Sequence, residues 1–164
     1  MPMVARWPGV VQPDSRCSEP VMTIDFYPTA LEIAGISGDA RHNAEIDGVS
    51  LHGLLANAQA TLNRDSLYWH YPHYHAGGDA PYSAIRRGNW RLIEFHDDTP
   101  PELYHLKRDL GERTNVAATH PNEYKELRAQ LHVWRRSVDA QMPLENPRYD
   151  PDKAGSPAPR KRKR

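Results

Sequence analysis

The stretch Tyr82-Ser83-Ala84-Ile85-Arg86-Arg87-Gly88-Asn89-Trp90-Arg91-Leu92-Ile93-Glu94-Phe95 reads as a β-hairpin. Residues 82–86 and 90–95 are rich in β-formers, and Arg87-Gly88-Asn89 between them supplies a tight Gly-Asn turn. Upstream, residues 66–71 make an aromatic-rich run that ends at Pro72; downstream, residues 103–106 make a further short strand after Pro100-Pro101. An antiparallel sheet of this kind has one face to cover, and the cover is legible. From Pro121, Tyr124, Leu127, Leu131, Trp134 and Val138 recur at spacings of three, four, three and four, an apolar seam on a helix of about five turns. Lys125, Glu126, Arg128, Arg135 and Arg136 are placed on its other faces.

The first part of the chain reads differently. Residues 1–6 suggest a short apolar strand stopped by the turn Trp7-Pro8-Gly9. Ile24, Tyr27, Leu31 and Ala34 form a helical stripe over residues 23–34, with Pro28 tolerable only near its start and Gly35 placed to close its last turn. Residues 38–46 look like a polar loop, Asp47-Gly48 like a turn, and Ser50 like the cap of a short helix through Leu51, Leu54 and Leu55. The polar connection 57–65 is the best internal boundary.

Composition narrows the function classes. The 15 Pro and 10 Gly exclude a bundle of long uninterrupted helices. No run approaches the roughly 18 apolar residues of a membrane span, and the first residues lack the pattern of a signal peptide. The formal charge of zero hides a division: Arg160-Lys161-Arg162-Lys163-Arg164 is wholly basic, and the remaining 16 basic against 21 acidic residues carry −5. A nucleic-acid partner is therefore not expected; the tail is better read as a solvated extension. The single cysteine, Cys17, excludes a disulfide framework.

The candidate site is Trp69-His70-Tyr71-Pro72-His73-Tyr74-His75, followed by Gly77-Gly78. Three imidazoles in six residues invite a metal, but a structural zinc needs four ligands, and an extended backbone sends His70 and His73 to opposite faces. The segment reads better as a pocket wall in which His70, His73 and Tyr74 offer hydrogen bonds to a polar ligand; satisfied aromatics at a sheet edge are the plain alternative. Asp97-Asp98 and the pair Asp150 and Asp152 are turn-formers beside Pro rather than an acid/base dyad. No phosphate loop, nucleophile elbow or zinc-protease motif is present, so no catalytic residue is assigned.

Several motifs in order resemble the sulfatase family: Arg6-Trp7-Pro8-Gly9, Asp25-Phe26-Tyr27-Pro28-Thr29, Ala34-Gly35 and Asp47-Gly48-Val49-Ser50-Leu51. Ile85-Arg86-Arg87-Gly88-Asn89-Trp90-Arg91-Leu92-Ile93 is similar to that family's R-x-G-x-W-K-L-I hairpin. Glu102-Leu103-Tyr104-His105-Leu106 with Asp109, Gly111, Glu112 and Asn115 is similar to its E-L-Y-N-L-x-x-D-P-G-E-x-x-N segment, with His105 for Asn and Leu110 for Pro. The resemblance covers roughly residues 1–150 and implies a C-terminal portion. It implies for 1–60 the end of the large alkaline-phosphatase-like α/β domain, and for 61–142 an α+β subdomain of antiparallel sheet and helix. By composition, residues 143–164 read as a Pro-rich and basic extended or disordered tail. Relatives hydrolyse sulfate esters with a formylglycine and a calcium ion, whose motifs lie upstream of the Arg-Trp-Pro-Gly turn. Cys17-Ser18-Glu19-Pro20-Val21 does not match the nucleophile motif, because its Pro is one residue late and no Arg follows. The resemblance therefore implies no nucleophile and no calcium ligand on this chain, both being expected in a full-length relative, and a sulfated small molecule or saccharide as ligand. Full-length relatives are often exported. Met1 stands where the family commonly has Val, as expected of a start placed inside a longer reading frame. Apolar Val4, Ile24, Tyr27 and Leu31 would then be exposed and favour self-association. A standalone module that binds a carbohydrate or sulfated ligand without catalysis is the alternative.

Overall fold

The computed structural model describes residues 2–74, 80–144 and 147. The basic tail, the pair Asp150 and Asp152, and His75 with Gly77-Gly78 lie outside the described residues. The chain divides into two compact units, residues 1–64 and 65–164.

In the first unit, a single 3₁₀ turn, Thr23–Asp25, leads into α1, Phe26–Ala34. Pro28 sits in the first turn of α1, where its missing N–H costs no helix bond. Gly35 closes the helix at φ +66°, donating to the carbonyls of Glu32 and Leu31. The stretch expected to be a loop contains a short helix, α2, Ala40–Asn43, because Asp39 accepts from the backbone N–H groups of Arg41 and His42. α3 is His52–Ala56, with the Ser50 hydroxyl accepting from the N–H of His52 at 3.2 Å. The strand expected over residues 1–6 does not form: residues 2–6 carry no regular secondary structure, and no strand of this unit lies among the described residues to complete a ladder. Val4, Ile24 and Tyr27 are exposed as expected, whereas Leu31 is half-buried.

The second unit is a four-stranded antiparallel meander in the order β1-β2-β3-β4: β1 Ser66–Tyr71, β2 Tyr82–Arg87, β3 Trp90–Phe95 and β4 Glu102–His105. Gly88 takes φ +54° in the β2–β3 turn, the left-handed conformation that the Gly-Asn signal called for. Register places Tyr68, Ile85, Leu92 and Leu103 in one line across the sheet. Helix α4, Pro121–Ser137, lies on that line. Leu127 and Leu131 join Ile85, Leu92 and Leu103 in the core, with Tyr68, Trp90, Tyr124 and Trp134 packed around them. Tyr68 and Trp134 stack at 4.7 Å between ring centres. Val138, the last member of the apolar seam, falls just past the helix and is 46% exposed.

Candidate functional site

The period of two in a strand puts His70, Ser83 and Glu94 side by side on the helix face, two residues beyond the apolar line. There the interface with α4 turns polar. Ser83 is fully buried, and its hydroxyl lies 2.8 Å from His70 Nδ1 and 2.9 Å from His96 Nε2. His70 Nε2 lies 2.8 Å from the Gln141 carbonyl, which only accepts, so Nε2 carries the proton. Neutral His70 then accepts the Ser83 O–H at Nδ1, and Ser83 Oγ accepts the His96 Nε2–H. Each of these three bonds then has one donor and one acceptor. Burial first, then the charge of Arg135, holds His96 below the usual imidazole range.

Glu94 in the same row meets α4. Arg128 Nε donates to its Oε1 at 2.7 Å and His132 Nε2 to its Oε2 at 2.8 Å, while Arg135 Nη2 forms an ion pair with Oε2 at 2.9 Å. Residues 128, 132 and 135 share one helical face, so a single carboxylate collects two donors and a further cation. Arg128 and Arg135, expected on the outward faces, instead turn to the sheet. Burial pushes the Glu94 carboxyl up, but the hydrogen bonds from Arg128 and His132 and the charge of Arg135 outweigh it and leave it below the ordinary value.

His73 and Tyr74 follow β1 beyond Pro72 and are exposed, Tyr74 at 74%. The His73 ring packs edge-on against Tyr71 at 5.8 Å. Of the three expected ligand contacts, His73 and Tyr74 thus stand at the surface, while His70 has both ring nitrogens engaged within the fold. A groove of about 610 Å³ lies at the other end of β1, between Ser66, Tyr68 and Arg87 on the sheet and Gln130, Val133 and Trp134 on α4. Among the described residues no three His, Cys, Asp or Glu side chains gather closely enough to hold a metal ion. Cys17 is an exposed thiol whose sulfur accepts the Glu19 N–H at 3.4 Å.

The motifs of the first unit meet in one buried node. Asp25 is fully buried; Arg64 donates to both its oxygens at 2.7 and 2.9 Å, and the N–H groups of Met22 and Val49 complete it. Thr29 Oγ1 donates to the Asp25 carbonyl and accepts from the N–H of Leu51. The stretch beginning at Asp25 and the one beginning at Asp47 are therefore two halves of one structural joint. Sequence reading did not single out Arg64, Ser83, Glu94 or His96 as partners, because each pairing spans 13 or more residues.

The family described as N-sulphoglucosamine sulphohydrolase, C-terminal, matches residues 1–141. A sulfatase of Formosa agariphila is 35% identical over 75% of this chain and 24% of its own length. An N-acetylglucosamine-6-O-sulfatase of Bacteroides thetaiotaomicron is 32% identical over 77% of this chain and 23% of its own. A solved structure of a protein in complex with its substrate D-glucosamine-2-N,6-O-disulfate superposes with a TM-score of 0.67 at 30% identity, covering 82% of this chain and 28% of that one. The chain spans about a quarter of the length of the curated relatives it matches. Matching motifs, meander and covering helix together establish that this chain belongs to the sulfatase family, with an alkaline-phosphatase-like fold of which it represents the C-terminal portion.

Proposed function

We propose that this chain serves a sulfuric ester hydrolase as scaffold and as one wall of a pocket for a sulfated saccharide, without hydrolytic activity of its own. The observation that carries this reading is the end of β1. His73 and Tyr74 follow closely on β1, whose His70 is tied to the buried Ser83 and through it to His96. A rigid strand presenting an imidazole and a phenol suits hydrogen bonding and stacking against a sugar. His70 acts as a positioning residue, holding the strand end to Gln141 and Ser83. The similarity to an N-acetylglucosamine-6-O-sulfatase and to a protein bound to D-glucosamine-2-N,6-O-disulfate makes a sulfated amino sugar the ligand class to try first.

The test is kinetic. In a full-length relative with the equivalent residues, replacing His73 and Tyr74 together by Ala should raise KM about tenfold, the worth of one or two lost hydrogen bonds, with a smaller change in kcat. The isolated chain should not turn over an aryl sulfate. An unchanged KM on every sulfated saccharide tried would remove the pocket-wall assignment, and turnover by the isolated chain would remove the scaffold reading. Exposed Val4, Ile24, Phe26, Ile33 and Ile36 also fit a surface that packs against further protein. Self-association of the isolated chain through them should show as a mass that rises with concentration in sedimentation.

A further inference from the structure

The sheet face turned away from α4 carries an arrangement that the pocket wall does not use. Arg86 on β2 and Arg91 on β3 are direct cross-strand partners. Alternation along each strand sends both side chains to that outer face. Like charges directly opposite on a sheet destabilise it unless something offsets them. Arg91 is offset: its Nη1 donates to both Glu112 oxygens, at 2.6 and 2.7 Å, and its guanidinium lies 5.7 Å over the Trp69 ring. The other acid on this face, Glu102, accepts the Tyr104 hydroxyl at 2.9 Å. Arg86 has no hydrogen bond or ion pair among the described residues. The Nε atoms of both arginines are buried with no hydrogen-bond partner. An unpaired guanidinium held half-buried beside a second one is costly, and an oxyanion would supply the missing acceptor oxygens in the fork geometry that arginine favours.

We propose that Arg86, with Arg91 beside it, forms an oxyanion-binding site on the outer sheet face that takes the sulfate group of a saccharide. Arg86 is the anchoring charge, and Arg91, fixed by Glu112 and Trp69, sets the edge against which the anion sits. On β1, Trp69 and Tyr71 continue the same face from Leu67, the register partner of Arg86, toward His73. Leu67 and Tyr71, the last residue of β1, are four residues apart along the strand, about 13 Å, the span of two or three sugar units. The choice of a saccharide rests on the reading given under Proposed function; the oxyanion site itself rests on the arginine pair.

Calorimetric titration of the full chain with D-glucosamine-2-N,6-O-disulfate, unsulfated D-glucosamine and inorganic sulfate tests this. Sulfate-dependent binding that weakens at high salt is expected, with a Kd raised about tenfold or more in Arg86→Gln and less in Arg86→Lys. Circular dichroism of both variants checks that the sheet is intact, and Arg86→Lys keeps the test decisive if Arg86→Gln does not fold. Binding of inorganic sulfate as tight as that of the disulfate, and equally dependent on Arg86, assigns the site to the anion alone and overturns the saccharide. Absence of sulfate-dependent binding, or a Kd unchanged in the Arg86 variants, overturns the site. The pair His73→Ala and Tyr74→Ala separates the two readings. Loss there with Arg86→Gln silent leaves the pocket wall and removes this site, and the converse leaves this site and removes the wall.

Discussion

Replacing Asp25 by Ala should lower the stability of the first unit by about 3–5 kcal/mol, the range seen when one partner of a buried ion pair is removed. Asp25 is fully buried and Arg64 is 12% exposed on its side chain, so the guanidinium left behind cannot recover its hydration. The N–H groups of Met22 and Val49 lose their acceptor in the same step. Asp25→Asn keeps the shape and one acceptor oxygen and should lie between the two. Burial raises the Asp25 carboxyl, but hydrogen bonds from Arg64, Met22 and Val49 and the charge of Arg64 prevail and hold it below its ordinary value. A depressed folded value means that the contribution is complete above the unfolded value, about 3.9, and is lost as pH falls through the lower folded one. Wild type and Asp25→Ala should therefore differ fully at neutral pH and converge in strong acid. Urea unfolding followed by Trp7 fluorescence measures this, and an unchanged midpoint at neutral pH would refute it. Gly48→Ala should act on the same joint, because a Cβ there would stand 2.2 Å from the Ile24 carbonyl oxygen.

That joint also shows what the sequence could and could not carry. Elements set by short-range signals were legible: the hairpin by Gly88, the end of α1 by Gly35, and the covering helix by the spacing of Leu127 and Leu131. The core along Ile85, Leu92 and Leu103 followed from a period of two meeting a seam of period near 3.6. Helix α2 was missed because a single Asx cap at Asp39 outweighed a polar composition. The expected strand over residues 1–6 failed because a strand is defined by a partner, and its own apolar residues say nothing about one. At the candidate site, His70 was visible as a residue type, but not its role. Whether an imidazole faces a ligand or a buried hydroxyl depends on Ser83 and His96, which a linear reading cannot pair with it. The motifs beginning at Asp25 and Asp47 were recognisable as patterns, yet only the fold shows why they recur together: one supplies the carboxylate, and the other the N–H that it receives.

The same reasoning sets the expectation for Glu94. Glu94→Gln should cost the second unit about 2–3 kcal/mol, less than a fully buried pair because Arg128 is half-exposed. Glu94 and Arg135 are each 13% exposed on their side chains, so the variant leaves two arginines and His132 gathered around a neutral amide. Burial raises the Glu94 carboxyl and the donors from α4 overcome it, so the net direction is downward. The stabilisation is then present above the ordinary carboxylate value and fades as pH falls through the folded one. A second readout separates this from simple loss of packing. The Glu94 charge is one of the influences that favour protonation of His96, while burial and the charge of Arg135 oppose it. With Glu94 neutral, His96 should titrate at still lower pH by NMR, while the Ser83 relay keeps its geometry. The end of α4 should also loosen, because Arg135 then loses the opposite charge it is paired with. Faster amide exchange near Gln141, and with it weaker anchoring of His70, would carry the effect to the β1 end, where His73 and Tyr74 stand. An unchanged His96 titration together with unchanged stability would show that the α4 cations are solvated rather than held by Glu94.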